Sequence, residues 1–280
     1  MNKLVEIEDP ELIGDIDELM IARYSKQMRK EELSEATVNS YLGYLDRALK
    51  WAVKVGLLGK APNIERIPIP DEGAAKGRPL FGEEIDRMKE KAESVVGKDA
   101  ASGFKTLIDG LNVSGLRLGE ALRLSWPTKG HDADLIIVNI KETTVTLSIP
   151  ASSQKRKRRE AHAVTPDFAK FLRAIPKHER VGFVFSLQKK DGSDHYRLDT
   201  ICKRFSKMGE DAGIIVKTMP NGKVIYASAH DLRRTFGLRW AKKLLKCNSS
   251  GGKRHLPKLT ATRRKFDGRF LIAPKEFSST

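Results

Sequence analysis

A proline-rich stretch at residues 62–79 constrains this chain more than any other feature of its sequence. It reads PNIERIPIPDEGAAKGRP and contains four prolines and two glycines. Because proline lacks a backbone N–H and disfavours helical geometry in the residue before it, a helix cannot continue through this stretch. We therefore predict an extended linker at 62–79, between a first domain at 1–61 and a second domain at 80–245.

The charge balance of the chain points to an anionic partner. The 280 residues include 52 Lys and Arg against 36 Asp and Glu, which gives a formal net charge of +16. Such an excess suits the phosphates of a nucleic acid. The sequence shows no apolar run of membrane-spanning length and no signal peptide pattern, so we expect a cytoplasmic protein. Two cysteines, Cys202 and Cys247, are too few for a disulfide framework or a cysteine-rich zinc site.

The sequence before the linker predicts a helical domain. Apolar residues recur at helical spacing from residue 11 to 30. A second helix is expected to begin after Ser34, whose hydroxyl can cap it, and to end at Gly56. Lys50 lies on the polar face of this helix and is a candidate DNA contact. The alternative is an ordinary helix that packs one face on a core and leaves the other in solvent.

The sequence after the linker predicts more helices and a small sheet. Two β-branched, alternating runs at 134–140 and 143–149 predict an antiparallel hairpin. A further short strand is expected at 223–227. Helices are predicted at 83–94, 100–111, 166–175, 199–212 and 230–245. The expected fold class is mainly α with a small antiparallel sheet, an α+β arrangement.

The segment SGLRLGEALRLSW at 114–126 carries the first candidate site residue. Arg117 follows Gly115 at an apparent helix start, and Glu120 comes three residues later. A guanidinium in this position is suited to a phosphate, because it is permanently charged and its paired donors match two phosphoryl oxygens. The alternative is a surface arginine that is simply paired with Glu120.

The segment HDLRRTF at 230–236 carries the second pair of candidates. His230 and Arg233 are three residues apart and share a face of a predicted helix. An imidazole that moves protons, beside a fixed cation that stabilises charge, suits phosphoryl transfer. The alternative is a histidine that only caps or packs.

A run of five basic residues follows the predicted hairpin. It comprises Lys155, Arg156, Lys157, Arg158 and Arg159. Such a run is either a solvated surface or a tether for phosphates. It also matches the pattern of a nuclear localisation signal, which occurs often by chance.

The three features together resemble the tyrosine recombinase (phage integrase) family. Their order is G-L-R-x-x-E, a hairpin followed by a lysine, and H-x-L-R at the head of a helix. The resemblance extends from about Ser25 to Lys243, and the segment LSEATVNSYLGYLDRALKWAVKVGLL is similar to the helix pair of the family's core-binding domain. The resemblance implies two domains, a helical core-binding domain and a catalytic domain, joined by a linker where the prolines lie.

What the resemblance implies about chemistry can be carried over residue by residue. Members of the family cleave DNA with a tyrosine hydroxyl, form a 3′-phosphotyrosyl bond and use no metal or nucleotide cofactor. By resemblance Arg117 and Arg233 would hold the non-bridging phosphate oxygens, His230 would assist proton transfer and Glu120 would hold the site in place. Lys155 would protonate the leaving 5′-oxygen, with Lys157 as the competing choice. The remaining basic residues expected to contact DNA are Lys157, Arg158, Arg159, Arg234 and Lys50. The implied partner is double-stranded DNA, bound by a tetramer.

The sequence departs from the family pattern after His230. The family places a histidine or tryptophan within roughly two dozen residues and the tyrosine nucleophile about ten beyond it. All five tyrosines of this chain precede His230, and the last of them is Tyr226. His255 and Phe266 come close to the expected spacing, but a phenyl ring has no hydroxyl with which to attack phosphorus.

Three interpretations of residues 246–280 remain open. They are a degenerate family C-terminus, a frameshifted tail that begins near Leu244, or a genuine variant that binds DNA without cutting it. We therefore predict a DNA-binding, integrase-type protein of DNA integration and site-specific recombination. We expect this sequence to be inactive in strand cleavage, because no tyrosine follows His230. The alternative is a noncatalytic DNA-binding or regulatory protein on the same fold. A basic RNA-binding or ribosomal protein would need an aromatic-rich binding strand or a glycine clamp, and neither pattern is found.

Overall fold

The structure is a computed structural model that describes residues 2–68, 77–127, 134–153, 160–187, 196–219 and 222–249. The chain divides into two compact units, Met1–Ala75 and Lys76–Thr280. We call them unit 1 and unit 2. The division falls inside the predicted linker. None of the helices in the described ranges is both long and apolar enough to cross a lipid bilayer.

Unit 1 is helical throughout its described secondary structure. The Asp17 carboxylate caps α2 by accepting a hydrogen bond from the backbone N–H of Met20 at 2.7 Å. Ser34 caps α3 as predicted, with its hydroxyl 3.3 Å from the backbone nitrogen of Thr37. Apolar side chains of these helices form a core of their own. The helices are α1 (Asn2–Glu8), α2 (Glu18–Lys30) and α3 (Glu35–Lys54).

The first part of the predicted linker lies along α3. The side-chain amide of Asn39 donates to the carbonyl of Ile67 at 2.7 Å. Arg66 pairs with Asp46 at 2.9 Å. Residues 61–68 form neither helix nor strand, in agreement with the effect expected of the prolines.

Unit 2 is built around α6, which packs against α4, α5, α7, α8 and α10. Phe104, Leu107, Ile108 and Leu111 of α6 are fully buried in the core of this unit. The predicted helix at 83–94 is divided into two helices at Lys91. The helices are α4 (Gly82–Glu90), α5 (Ala92–Val96), α6 (Lys98–Ser114), α7 (Leu118–Ala121), α8 (Pro166–Ala174), α9 (Leu198–Asp211) and α10 (Ala229–Ser249).

The sheets of unit 2 confirm the predicted hairpin and extend it. Strand β2 (Ile136–Ile140) pairs antiparallel with β3 (Val145–Ile149). Strand β4 (Glu160–Ala163) continues the antiparallel sheet, and the two-residue β1 (Leu124–Ser125) adds a parallel pair at its other edge. In the described residues a second sheet pairs β5 (Ile215–Thr218) with β6 (Val224–Tyr226). The fold class is α+β, as predicted.

Candidate functional site

The site begins where α6 ends in a glycine turn. Gly115 caps α6 with a φ of 64°, in the left-handed region that side chains rarely adopt. A Cβ atom built on Gly115 would lie 2.2 Å from Cδ1 of Phe236, which belongs to α10. Glycine is therefore required here both by the backbone conformation and by the close approach of α10.

Arg117 directly precedes α7 and is bound by Glu120. The backbone N–H of Arg117 donates to Oε2 of Glu120 at 2.8 Å, and Nη1 of Arg117 donates to Oε1 at 3.1 Å. Glu120 thus caps the helix and orients the guanidinium at the same time. The predicted pairing with Glu120 is present, and the Arg117 side chain is still 45% exposed.

Arg233 of α10 contacts the same turn. Its guanidinium donates to the carbonyl of Gly115, and its Nη1 lies 3.9 Å from Oε2 of Glu120. Its side chain is only 16% exposed. Burial lowers the pKa of Arg233 from its usual value, the Glu120 carboxylate opposes this shift, and the charge of Arg117 adds to it. Two guanidinium groups therefore converge on one carboxylate.

His230 lies in the first turn of α10, beside these arginines. This turn is capped by Asp231, whose Oδ2 accepts hydrogen bonds from the backbone nitrogen and the hydroxyl of Ser228, both at 2.9 Å. Desolvation by the surrounding protein lowers the pKa of His230 from 6.5. The charges of Arg234, Arg233 and Arg117 lower it further, whereas Asp231 raises it. A lowered pKa favours the neutral imidazole, whose unprotonated nitrogen can accept a proton.

Of the remaining predicted site residues, two pair with other carboxylates and the rest lie outside the described residues. Arg234 pairs with the buried carboxylate of Asp231 at 2.6 Å. Lys50 belongs to unit 1 and pairs with Asp46 at 2.9 Å. Lys155, Lys157, Arg158 and Arg159 lie outside the described residues.

In the chain order the basic run follows the hairpin of β2 and β3, and a strand that the sequence did not predict comes after the run. Residues 155–159 therefore stand in the sequence between β3 and β4, which pair antiparallel. The short sequence EAHA of β4 carries little β-propensity of its own, which is why the strand was missed.

Sequence reasoning also missed Asp231 as a structural element of the site. The pattern of Ser228 followed three residues later by an acidic residue is a capping signal that was available in the sequence. In the described part of the chain, no group of three or more His, Cys, Asp or Glu residues is arranged to hold a metal ion.

Comparison with known proteins supports a single fold. No protein-family model and no curated protein matches the chain. Among solved structures, a lambda integrase dimer bound to a COC′ core site has a TM-score of 0.60 at 14% identity, over 90% of this chain and 85% of that one. The Tn1549 transposon integrase in complex with a circular intermediate DNA has a TM-score of 0.56 at 15% identity, over 86% of this chain and 80% of that one.

The fold is therefore that of the tyrosine recombinases and integrases, as the sequence resemblance implied.

Proposed function

We propose that this chain binds duplex DNA and that Arg117 and Arg233 hold a phosphate of its backbone. The supporting observation is the convergence of two guanidinium groups, one before α7 and one on α10, on the single carboxylate of Glu120. Two positive charges against one negative charge leave a local excess that favours an anion. Guanidinium donors also match phosphate oxygens in geometry.

Glu120 has two effects in this proposal. It holds Arg117 in place before DNA arrives, which reduces the entropy lost when the phosphate binds. It also competes with the phosphate for the same donors, so binding requires the phosphate to displace or share those hydrogen bonds. The net charge of +16 supplies the long-range attraction that brings the duplex to the site.

The proposed roles of His230 and of the basic run follow the family chemistry. A neutral imidazole next to two cations is suited to taking up a proton near a phosphate. Lys155, or Lys157 in its place, would protonate the leaving oxygen, and Arg158 and Arg159 would contact the DNA backbone. Arg234 would contribute mainly through its pairing with Asp231, which is already present.

We propose further that this polypeptide binds DNA without forming a covalent adduct. Every tyrosine in the sequence precedes His230, so no tyrosine lies at the spacing that the family uses for its nucleophile. Phe266 occupies a comparable position but has no hydroxyl. This observation favours a noncatalytic DNA-binding or regulatory role over strand cleavage, and both roles share the same DNA-binding site.

In this proposal unit 1 is the core-binding domain, and the bound form is a homo-oligomer on DNA. Lys50 on α3 would contact the duplex. Sedimentation of the protein–DNA complex measures its stoichiometry. A complex with four chains supports the tetramer that the resemblance implies, and a complex with a single chain contradicts it.

The test of DNA binding compares arginine variants with a matched control. Fluorescence anisotropy of a labelled duplex gives the affinity of the wild type, Arg117→Gln, Arg233→Gln and Lys98→Gln. Lys98 is 87% exposed and begins α6, so it lies about 25 Å from Gly115 at a rise of ~1.5 Å per residue. Each variant loses one positive charge. We expect the affinity for DNA to fall strongly only when Arg117 or Arg233 is replaced.

We expect each arginine variant to bind about tenfold more weakly or worse, since a hydrogen bond to a charged group contributes roughly 1.5–3 kcal/mol. Each lost phosphate contact should also reduce the slope of log K against log salt by about 0.9. Equal affinities for all four proteins would refute the phosphate site. In a denaturing gel, a protease-sensitive protein–DNA adduct would refute the proposed lack of cleavage.

A further inference from the structure

Helix α10 presents a second polar stripe next to the one that carries His230 and Arg233. This stripe consists of Asp231, Arg234 and Thr235, at the spacing of one helical turn. It faces the segment Gly77–Leu80, through which the chain enters unit 2. The same helix therefore contacts the candidate site with one stripe and the end of the predicted linker with the other.

The contacts between the stripe and the entering segment are short and mostly buried. The hydroxyl of Thr235 accepts a hydrogen bond from the backbone N–H of Leu80 at 2.7 Å and donates to the carbonyl of Asp231 at 2.9 Å. Leu80 is only 5% exposed and belongs to the core of unit 2. Loss of the Thr235 hydroxyl would leave the buried N–H of Leu80 without an acceptor, which lowers the stability of the folded state.

Gly77 lies directly against the cap of α10. A Cβ atom on Gly77 would fall 2.2 Å from Oδ1 of Asp231 and 3.0 Å from Nη1 of Arg234. The Asp231 carboxylate that Gly77 covers is the group that caps the helix through Ser228. Any side chain at position 77 would displace either the entering segment or this carboxylate.

The entering segment is itself fixed to the rest of unit 2 by Arg78. Its guanidinium pairs with both oxygens of Glu84, at 2.8 Å and 2.6 Å, and donates to the carbonyl of Ile215 at 2.9 Å. The segment is therefore held at three places: on α4, on β5 and on α10.

We propose that Asp231 and Thr235 are positioning residues, which hold the first turns of α10 against Gly77–Leu80 and so place His230 and Arg233 toward the turn at Gly115. Neither residue needs to contact DNA. The effect on DNA binding rests on the proposed function, whereas the effect on α10 does not. The consequence is that the end of the linker belongs to the supporting structure of the site.

The first arm of the test measures α10 in the free, full-length chain. Amide hydrogen exchange is compared for Gly77→Ala and Gly82→Ala. Gly82 is a matched control because nothing lies within 4 Å of its Cβ position. We expect amides 231–236 to exchange about tenfold faster or more in Gly77→Ala, with protection of α6 retained, and to be unchanged in Gly82→Ala. Equal protection in both variants overturns the proposal.

A second pair of variants tests the Thr235 hydroxyl instead of the space beside Gly77. Thr235→Val should speed the same exchange, and Thr235→Ser, which keeps the hydroxyl, should restore protection. Thr106→Val is the control, because the Thr106 hydroxyl donates to the carbonyl of Ser102 within α6 itself. If Thr235→Val and Thr235→Ser show the same exchange, the hydrogen bond to Leu80 does not position α10.

The second arm measures whether a change in the position of α10 also weakens DNA binding. The affinity for a duplex is measured for Gly77→Ala, Arg233→Gln and the double variant. If Gly77→Ala misplaces Arg233, the two losses should be non-additive, with little further loss in the double variant. Fully additive losses overturn the coupling. If Arg233→Gln alone has no effect while α10 exchange responds to Gly77→Ala, the proposed function fails and the positioning role stands.

Discussion

Replacement of Gly115 by alanine tests how the turn after α6 and the helix α10 fit together. The φ of 64° and the ring of Phe236 penalise a side chain for different reasons. A left-handed conformation costs a non-glycine residue roughly 1–2 kcal/mol. Overpacking costs typically about 1–3 kcal/mol, because Phe236 has three ring atoms between 2.2 and 2.7 Å from the new methyl group. Gly115→Ala should therefore lower the free energy of unfolding of unit 2 by about 2–5 kcal/mol.

A matched control separates the two penalties. Gly213 has the same φ of 64°, but nothing lies within 4 Å of its Cβ position. Gly213→Ala therefore carries the backbone penalty alone, and the loss of chain entropy in the unfolded state is the same for both variants. The difference between Gly115→Ala and Gly213→Ala isolates the steric effect of Phe236, which we expect to be about 1–3 kcal/mol.

Urea denaturation followed by tryptophan fluorescence measures this difference. Trp126 and Trp240 report on unit 2, and Trp51→Phe removes the signal of unit 1. In a Phe236→Leu background, where the ring is absent, the excess cost of Gly115→Ala should shrink. If Gly115→Ala and Gly213→Ala lose the same stability, the proposed contact between the turn and α10 is refuted.

Three further predictions concern a cap, an ion pair and a proton. Ser34→Ala should lower the stability of unit 1 by about 1 kcal/mol, whereas Ser40→Ala inside the same helix should not, as measured by thermal denaturation. The hydrogen bond that Arg78 donates lowers the pKa of Glu84 below 4.5. The ion pair therefore stabilises the folded state above pH 4.5, and this stabilisation is lost as the pH falls through the lowered pKa. Glu84→Gln should therefore flatten the acid dependence of stability, and an unchanged acid profile would contradict this. Besides desolvation, the charge of Arg234 lowers the pKa of His230, so Arg234→Gln should raise it in an NMR titration. A fall in that pKa would contradict the assigned electrostatics.

The longer helices and the central hairpin were predictable because their signals are local. Ser34 is followed by a regular apolar face, and β2 and β3 are alternating runs of β-branched residues next to each other in the chain. Strands β1, β4 and β5 were missed. For β1 and β4 the reason is that a two-residue strand and the sequence EAHA carry almost no signal of their own. Their pairing depends on neighbours that the fold provides.

The candidate site was only partly predictable, for a related reason. Arg117, Glu120, His230 and Arg233 could be named because two short motifs contain them, and the motifs resemble a known family. Their mutual placement is a long-range property: Arg233 meets the carbonyl of Gly115 across more than a hundred residues of chain.

The sequence by itself determined the charge, the longer helices and the central hairpin, the interruption of helix by prolines and the lack of a tyrosine after His230. The tertiary structure alone decided that one carboxylate, Glu120, lies between two arginines and that Gly77 and Leu80 are bound by the far side of α10. The physical reason is that propensity and capping act over a few residues. Convergence of charges and close backbone approach are set by how whole elements pack.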